Sequence, residues 1–211
     1  MKPFEYTKEW YENEYHKTIT DGFVPNPSLF HPVRDLKCMA DVGVKPEHKI
    51  LVCGCGGGDD TWLLTEKLNC HHIWGFDWSQ TAVNFFNSFF RDGRKLNGEY
   101  VGLPKTTGEA VQACCSRIPY NDNEFDVLLA MDITEHLPPL VYILFLANCY
   151  RVLKYGGRIA VLPGMTRRDE HINLMPLSAI REHMKRIGFH IINQKPEWII
   201  GQKNRHSVYS K

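Results

Sequence analysis

From Lys49 onward the apolar residues of this chain fall into two rhythms. "KILVCG", "HIWGFD" (His72 to Asp77), "FDVLLAMD" (Phe125 to Asp132) and "RIAVLPG" are short unbroken apolar runs, the pattern of strands buried on both faces. Between them the spacing turns helical. One helix is expected from about Asp59, with Trp62, Leu63 and Leu64 inward and acids in its first turn, where the helix dipole favours them. "SQTAVNFFNSFF" is a second, opened by Ser79 as N-cap. "PLVYILFLANCYRVLKYGG" is a third, ended by its two glycines, and "LSAIREHMKRIGF" is an amphipathic fourth that closes at Gly188. "AVQACCS" is a short strand, and "HIINQK" and "HSVYS" are expected as a final antiparallel pair. Arg91 to about Glu109, with its Gly and Pro, is an irregular excursion.

Ahead of this alternation, Phe4 to about Thr18 is expected as a helix rich in aromatics: Phe4, Tyr6, Trp10, Tyr11 and Tyr15. "VRDLKCMADVG" then sets Val33, Leu36 and Ala40 at helical spacing and stops at Gly43. Residues 1–44 form a helical cap or lid segment in this reading, and residues 45–211 the main domain. Strands alternating with helices imply an α/β fold, a sheet with helices on both faces. Ligands of such sheets sit beyond the carboxyl ends of the strands.

Composition narrows the possible partners. With 25 basic and 24 acidic residues the net charge is +1, which offers no general attraction to nucleic acid or an anionic membrane. The apolar run Leu140 to Cys149 is too short to cross a bilayer, and the charged, aromatic start has no signal-peptide core. Seven cysteines, an odd number, suit reduced thiols, so a cytoplasmic location is expected.

The turn Gly54-Cys55-Gly56-Gly57-Gly58-Asp59 joins the first strand to its helix. A dinucleotide fingerprint needs glycine where Asp59 stands, and Asp59 would repel a pyrophosphate at the helix start. What remains is Gly-x-Gly-x-Gly, which lets backbone approach a ligand closely without requiring an anion. Asp77, ending the second strand, can accept both hydroxyls of a ribose, or can cap the helix that follows. Cys53, Cys55, Cys70, His71 and His72 invite a metal reading, but Cys-x-Cys is not zinc-knuckle spacing and no second paired set follows, so no metal is expected.

Five stretches in order carry a resemblance: "ILVCGCGGG", "IWGFDWSQTAV", "RIPYNDNEFDVLLAMDITEHLPP", "CYRVLKYGGRIAV" and "IREHMKRIGFHI". Over about residues 45–195 the chain resembles a class I S-adenosylmethionine-dependent methyltransferase of the small-molecule, ubiquinone-biosynthesis-like type. The resemblance implies a Rossmann-like three-layer sandwich, with seven strands, mostly parallel, and the last antiparallel. It implies S-adenosyl-L-methionine as cofactor, held by Gly54, Gly56, Gly58, Asp77, Trp78, Cys115 and Met131, with Trp10 and Tyr15 as lid aromatics. Val52 stands where the family usually carries an acid two residues before the first glycine, and Cys114 where it often carries Asp.

Methyl transfer from a sulfonium relies mainly on alignment, with a general base useful for a hydroxyl or a protonated amine. Candidates beyond the fourth strand are Asp132, His136 in "EHL" and His171 in "RRDEHIN", with Arg167 and Arg168 beside it. The bland alternatives are a turn cap, a structural histidine and an exposed charged loop. The expected activity is methyl transfer to oxygen or nitrogen of a small metabolite, with no nucleic-acid or membrane partner, by a monomer or homodimer. The rivals are a protein side-chain methyltransferase, a catalytically silent adenosylmethionine-binding module and, disfavoured by Asp59, a nicotinamide oxidoreductase.

Overall fold

The computed structural model describes residues 7–9, 12–13, 31–91, 95–96, 99–100 and 106–205. Of the expected first helix, residues 8–9 and 12–13 are helical and the rest lies outside the described residues, as does "HSVYS". The elements that follow are α1 (Pro32–Val42), β1 (Ile50–Cys53), α2 (Asp59–Leu68), β2 (Ile73–Asp77) and α3 (Gln80–Phe86), the last continued by a π-helical turn, Asn87–Arg91. Next come a two-residue hairpin, β3 (Lys95–Leu96) and β4 (Glu99–Tyr100), then β5 (Ala110–Gln112), β6 (Phe125–Met131) and a 3-10 turn, Thr134–His136. The chain continues through α4 (Pro139–Val152), β7 (Leu153–Leu162), α5 (Leu177–Ile187), β8 (Phe189–Gln194) and β9 (Ile199–Lys203).

Seven strands form one sheet in the order β5-β2-β1-β6-β7-β9-β8. Every pair is parallel except those made by β9, which runs antiparallel to both β7 and β8. The chain moves outward from β1 through β2 to β5, then crosses back to lay β6 on the other side of β1. That reversal opens a crevice at the carboxyl ends of β1 and β6. The expected Rossmann-like three-layer sandwich is the observed one.

Alternation along β1 feeds both layers. Ile50 and Val52 join a core with Cys38 and Met39 of α1, Leu63 and Leu64 of α2 and Phe86 of α3. Leu51 and Cys53 face Tyr142, Phe145 and Cys149 of α4 and Ile180 and Met184 of α5. All four β1 residues are buried, which is why this strand reads as a continuous apolar run. Truncating any of the large aliphatics packed on it costs about 2–5 kcal/mol.

Three local readings need correction. α1 buries Asp35, Cys38, Met39 and Val42, while Val33 is 66% exposed and Ala40 also faces solvent. The helix is turned to carry Arg34 to the end of β6, where it meets Asp132. α4 stops at Val152, not at the glycines: Leu153 is extended and pairs with Phe125, so Gly156 at φ +84° belongs to the irregular start of β7. The last strand of the sheet is Ile199–Lys203, whose central Gly201 faces α5. A Cβ there would lie 2.6 Å from Met184 Cε.

Candidate functional site

At the end of β1 the chain must turn sharply to enter α2, and three glycines take the left-handed conformations this needs. Gly54, Gly56 and Gly58 have φ of +67°, +47° and +88°. Gly58 has a second reason, since a Cβ there would run into the Phe90 ring. The turn is tied to β2: the Gly56 N–H donates to Asp77 Oδ2 at 2.9 Å, and the Ser79 N–H donates to Oδ1 at 2.9 Å. Asp77 is thus a brace between two loops. The N-cap of α3 is Ser79, whose hydroxyl accepts from Ala82 N. Burial raises the Asp77 carboxyl to about 6 against these backbone donors. The Trp78 N–H is a third backbone donor, which leaves one of the four acceptor positions of the carboxylate for a ligand.

Of the other residues expected at this end, the described ones lie at the carboxyl ends of β2, β5 and β6. Trp78 is 37% exposed, and its carbonyl accepts from Gln112 Nε2. Cys115 is half-buried, with Asp77 and the neutral Cys53 thiol as neighbours, and burial first of all raises its own thiol. Met131 ends β6, buried. Cys114 is exposed, and Val52 is buried in the core. Trp10 and Tyr15 lie outside the described residues, with Phe4, Tyr6 and Tyr11.

Three acids sit near the start of α2. Burial, with Asp35 nearby, pushes Asp59 up to about 6. Asp60 is driven well above the usual range by desolvation and then by Asp35, Asp132 and Asp59. Buried Asp35 is raised by desolvation, against the pull of Arg34. Glu12 is a further acid that the sequence reading missed. Its Oε1 accepts from Gln80 N at 2.6 Å, and its Oε2 accepts from Ser79 Oγ at 2.9 Å and from Thr81 N at 3.1 Å. Burial works to raise Glu12, but the donors at the start of α3 hold it below its ordinary value.

Asp132, His136 and His171 converge beyond the ends of β6 and β7. Asp132 has φ +47°, an uncommon left-handed residue outside glycine, and its N–H donates to Leu162 O. Both its oxygens face Arg34, at 2.5 Å and 3.4 Å. The rings of His136 and His171 meet edge to face, centroids 4.8 Å apart. His136 Nδ1 lies 3.2 Å from Glu170 O, and His171 Nδ1 2.5 Å from Thr166 O. Burial, followed by His171, lowers His136 to about 4, so the ring is neutral near pH 7. Arg167 and Arg168 are exposed, and Arg168 pairs with Glu170 at 3.8 Å.

Glu135 was read only as part of a motif. It is 1% exposed, among the described residues neither carboxylate oxygen makes a well-formed hydrogen bond, and burial raises it to about 7 against weak support from the backbone N–H groups of Glu135 and Gly164. Nothing in the local sequence marks this glutamate as buried, and nothing marks Arg34 as the partner of Asp132. The cysteine and histidine set first considered for metal is dispersed. Cys53, Cys55 and Cys70 are buried, His71 bonds Asn69 and His72 bonds Thr107.

A methyltransferase domain family matches residues 51–161. The chain is 27% identical over 173 residues to 24-methylenesterol C-methyltransferase 2 of Arabidopsis thaliana, covering 73% of this chain and 45% of that one. It superposes with a TM-score of 0.67 on PH0226 from Pyrococcus horikoshii OT3, at 14% identity, covering 91% and 99% of the two chains. It superposes at 0.58 on phosphoethanolamine N-methyltransferase 2 of Haemonchus contortus, solved with phosphomonomethylethanolamine and S-adenosylhomocysteine. Identity there is 17%, and coverage is 74% of this chain and 37% of that one. At such identities the structural likeness establishes the fold. The chain spans less than half the length of the curated relatives it matches.

Proposed function

Because the chain belongs to the methyltransferase domain family, we propose that it transfers the methyl group of S-adenosyl-L-methionine to oxygen or nitrogen of a small metabolite. The observation that carries the cofactor half is the sign of the charge around the glycine turn. Asp59 and Asp60 occupy the first turn of α2, with Asp35 near both. Asp59, ionised above about 6, repels a pyrophosphate there and suits a ligand bearing a sulfonium and an ammonium, whose positive charge would also favour ionisation of Asp60.

The remaining residues fit the cofactor at its ribose end. Asp77 keeps an acceptor position for a ribose hydroxyl, and the glycine turn gives backbone the close approach. Trp78, Cys115 and Met131 lie at the carboxyl ends of β2, β5 and β6, on the same side of the sheet as the glycine turn. When bound, the cofactor supplies a methyl group already activated by sulfonium. The protein's task is then to align the acceptor and exclude water. Asp132 is engaged with Arg34 and His136 is held neutral with a low pKa, so Asp132 and His136 would orient an acceptor better than they would deprotonate one. A small acceptor is supported by the balanced net charge and by relatives named for sterol and phosphoethanolamine methylation. Among the described residues, no helix is long and apolar enough to cross a membrane.

A thermal melt with S-adenosylmethionine, S-adenosylhomocysteine, NAD or no ligand tests the cofactor. A ligand at 100 times its Kd adds about 2.7 kcal/mol, or roughly 5–10 °C for a chain of this size. A shift with both adenosyl ligands and none with NAD is expected. A screen of hydroxyl- and amine-bearing metabolites for S-adenosylhomocysteine release then tests the acceptor. Binding without release from any acceptor would instead favour a silent binding module.

A further inference from the structure

Between the 3-10 turn after β6 and the loop after β7, Glu135, His136 and His171 bring one carboxylate and two imidazoles together. One ligand-type atom from each lies within 4.8 Å of the others. The Glu135 carboxylate is the telling member. It is 1% exposed, and among the described residues neither oxygen makes a well-formed hydrogen bond, the backbone N–H groups of Gly164 and of Glu135 itself giving only weak support, although a buried carboxylate normally requires full donors or a cation. Arg34 is not that cation, because its guanidinium bonds Asp35 and Asp132.

The two histidines are oriented as ligands. Each Nδ1 faces a backbone carbonyl, Glu170 O for His136 and Thr166 O for His171. A carbonyl only accepts, so each Nδ1 carries the hydrogen and each Nε2 holds the ring's lone pair. Metal-bound histidines are commonly fixed in this way by a second hydrogen bond. His136 Nε2 already lies 3.7 Å from Glu135 Oε1. Gly164 leaves the space open: a Cβ there would collide with Glu135 Oε1 and lie 3.2 Å from His171 Cε1.

We propose that Glu135, His136 and His171 form a binding site for a divalent first-row cation such as zinc, through one carboxylate oxygen and two Nε2 atoms. Two imidazoles and a carboxylate are the donor set of open zinc sites, which leave a position for water or substrate. Ligand atoms around zinc lie roughly 3.2–3.5 Å apart, from bonds of about 2.0–2.1 Å, so the widest pair must close by rotation of a side chain. The open position would face an acceptor oxygen, and this last step rests on the proposed methyl transfer.

The test uses the full chain, stripped with a chelator and titrated with Zn²⁺ against a chromophoric competitor. The wild type should take up one equivalent with micromolar or tighter Kd. His171→Ala and Glu135→Gln should each weaken uptake at least 30-fold, while His190→Ala, an exposed position on β8, should not change it. Co²⁺ loading should give the visible bands of a low-coordinate nitrogen and oxygen site in the wild type and lose them in His171→Ala. If Glu135→Gln fails to fold, His171→Ala on its half-buried loop decides alone. No stoichiometric uptake, uptake unchanged by His171→Ala, or sulfur-to-cobalt charge transfer would each overturn the assignment. S-adenosylhomocysteine binding, measured on the same samples, should be unchanged by His171→Ala. Its absence from the wild type would sink methyl transfer while leaving the cation result standing.

Discussion

Arg34 and Asp132, 98 positions apart in the chain, meet with Nη2 2.5 Å from Oδ2 and fasten α1 to the end of β6. The same guanidinium donates through Nε to Asp35 at 2.7 Å, so one side chain neutralises a buried acid and a half-exposed one.

Arg34→Met should therefore cost more through Asp35 than through Asp132. Leaving Asp35 buried without its partner should destabilise the fold by about 2–3 kcal/mol, read by urea denaturation. The coupling between Arg34 and Asp132 in a double-mutant cycle should be about 1 kcal/mol or less and should shrink with added salt, because Asp132 is 45% exposed. A coupling above that, insensitive to salt, would mean that Asp132 is desolvated in solution.

If Asp77 holds the ribose as proposed, it ties cofactor binding to pH. Its carboxyl ionises near 6 in the folded chain, against an ordinary value of 3.8. A protonated acid loses an acceptor for the ribose, so S-adenosylhomocysteine affinity should fall as pH drops through about 6. For the unliganded fold the sign is opposite. The raised value contributes stability that is complete below about 3.8 and is lost as pH rises through 6. Asp77→Asn should abolish that part of the melting-temperature profile and weaken S-adenosylhomocysteine at least tenfold by calorimetry. An unchanged affinity would remove Asp77 from the cofactor site.

Gly58→Ala tests the turn. At φ +88° an alanine is strained by about 1 kcal/mol, and its Cβ meets the rigid Phe90 ring besides. A loss above about 2 kcal/mol is expected by thermal or chemical denaturation. Phe90→Leu should restore part of it.

Glu12→Ala removes three acceptor contacts from the start of α3. Loss of a helix cap of this kind costs about 1 kcal/mol, or roughly 2–4 °C in melting temperature. If residues 1–44 cover the cofactor, the variant should also weaken S-adenosylhomocysteine several-fold. Stability without an affinity change would leave Glu12 as a cap alone.

The parts of this fold that were legible in the sequence are those set by neighbours in the chain. The apolar run of β1, the glycine turn and the Ser79 cap each carry a local signal, and each is in place. The strand that pairs with β8, Ile199–Lys203, escapes the sequence pattern because Gly201 weakens "IIGQK", and Gly201 is required by Met184 on a different element, α5. The end of α4 was misread because Gly156 and Gly157 look like a helix stop. Pairing of Leu153 with Phe125 takes the chain into the sheet four residues sooner. Arg34 facing Asp132, Glu12 facing α3 and the burial of Glu135 are all products of assembled geometry. No spacing rule could have found them.

The helices that begin beside the cofactor crevice have a consequence for selectivity. A helix start ordinarily attracts anions. Here α2 opens with Asp59 and Asp60, and the first free N–H groups of α3 are taken by Ser79 and Glu12. Both positive ends are answered by the protein's own carboxyl and hydroxyl groups before any ligand arrives. S-adenosylmethionine and NAD share an adenosine end, and a carboxylate that grips a ribose cannot tell them apart. Under the proposed function, rejecting the phosphorylated competitor would fall to the helix starts, and selectivity would come from what the site refuses.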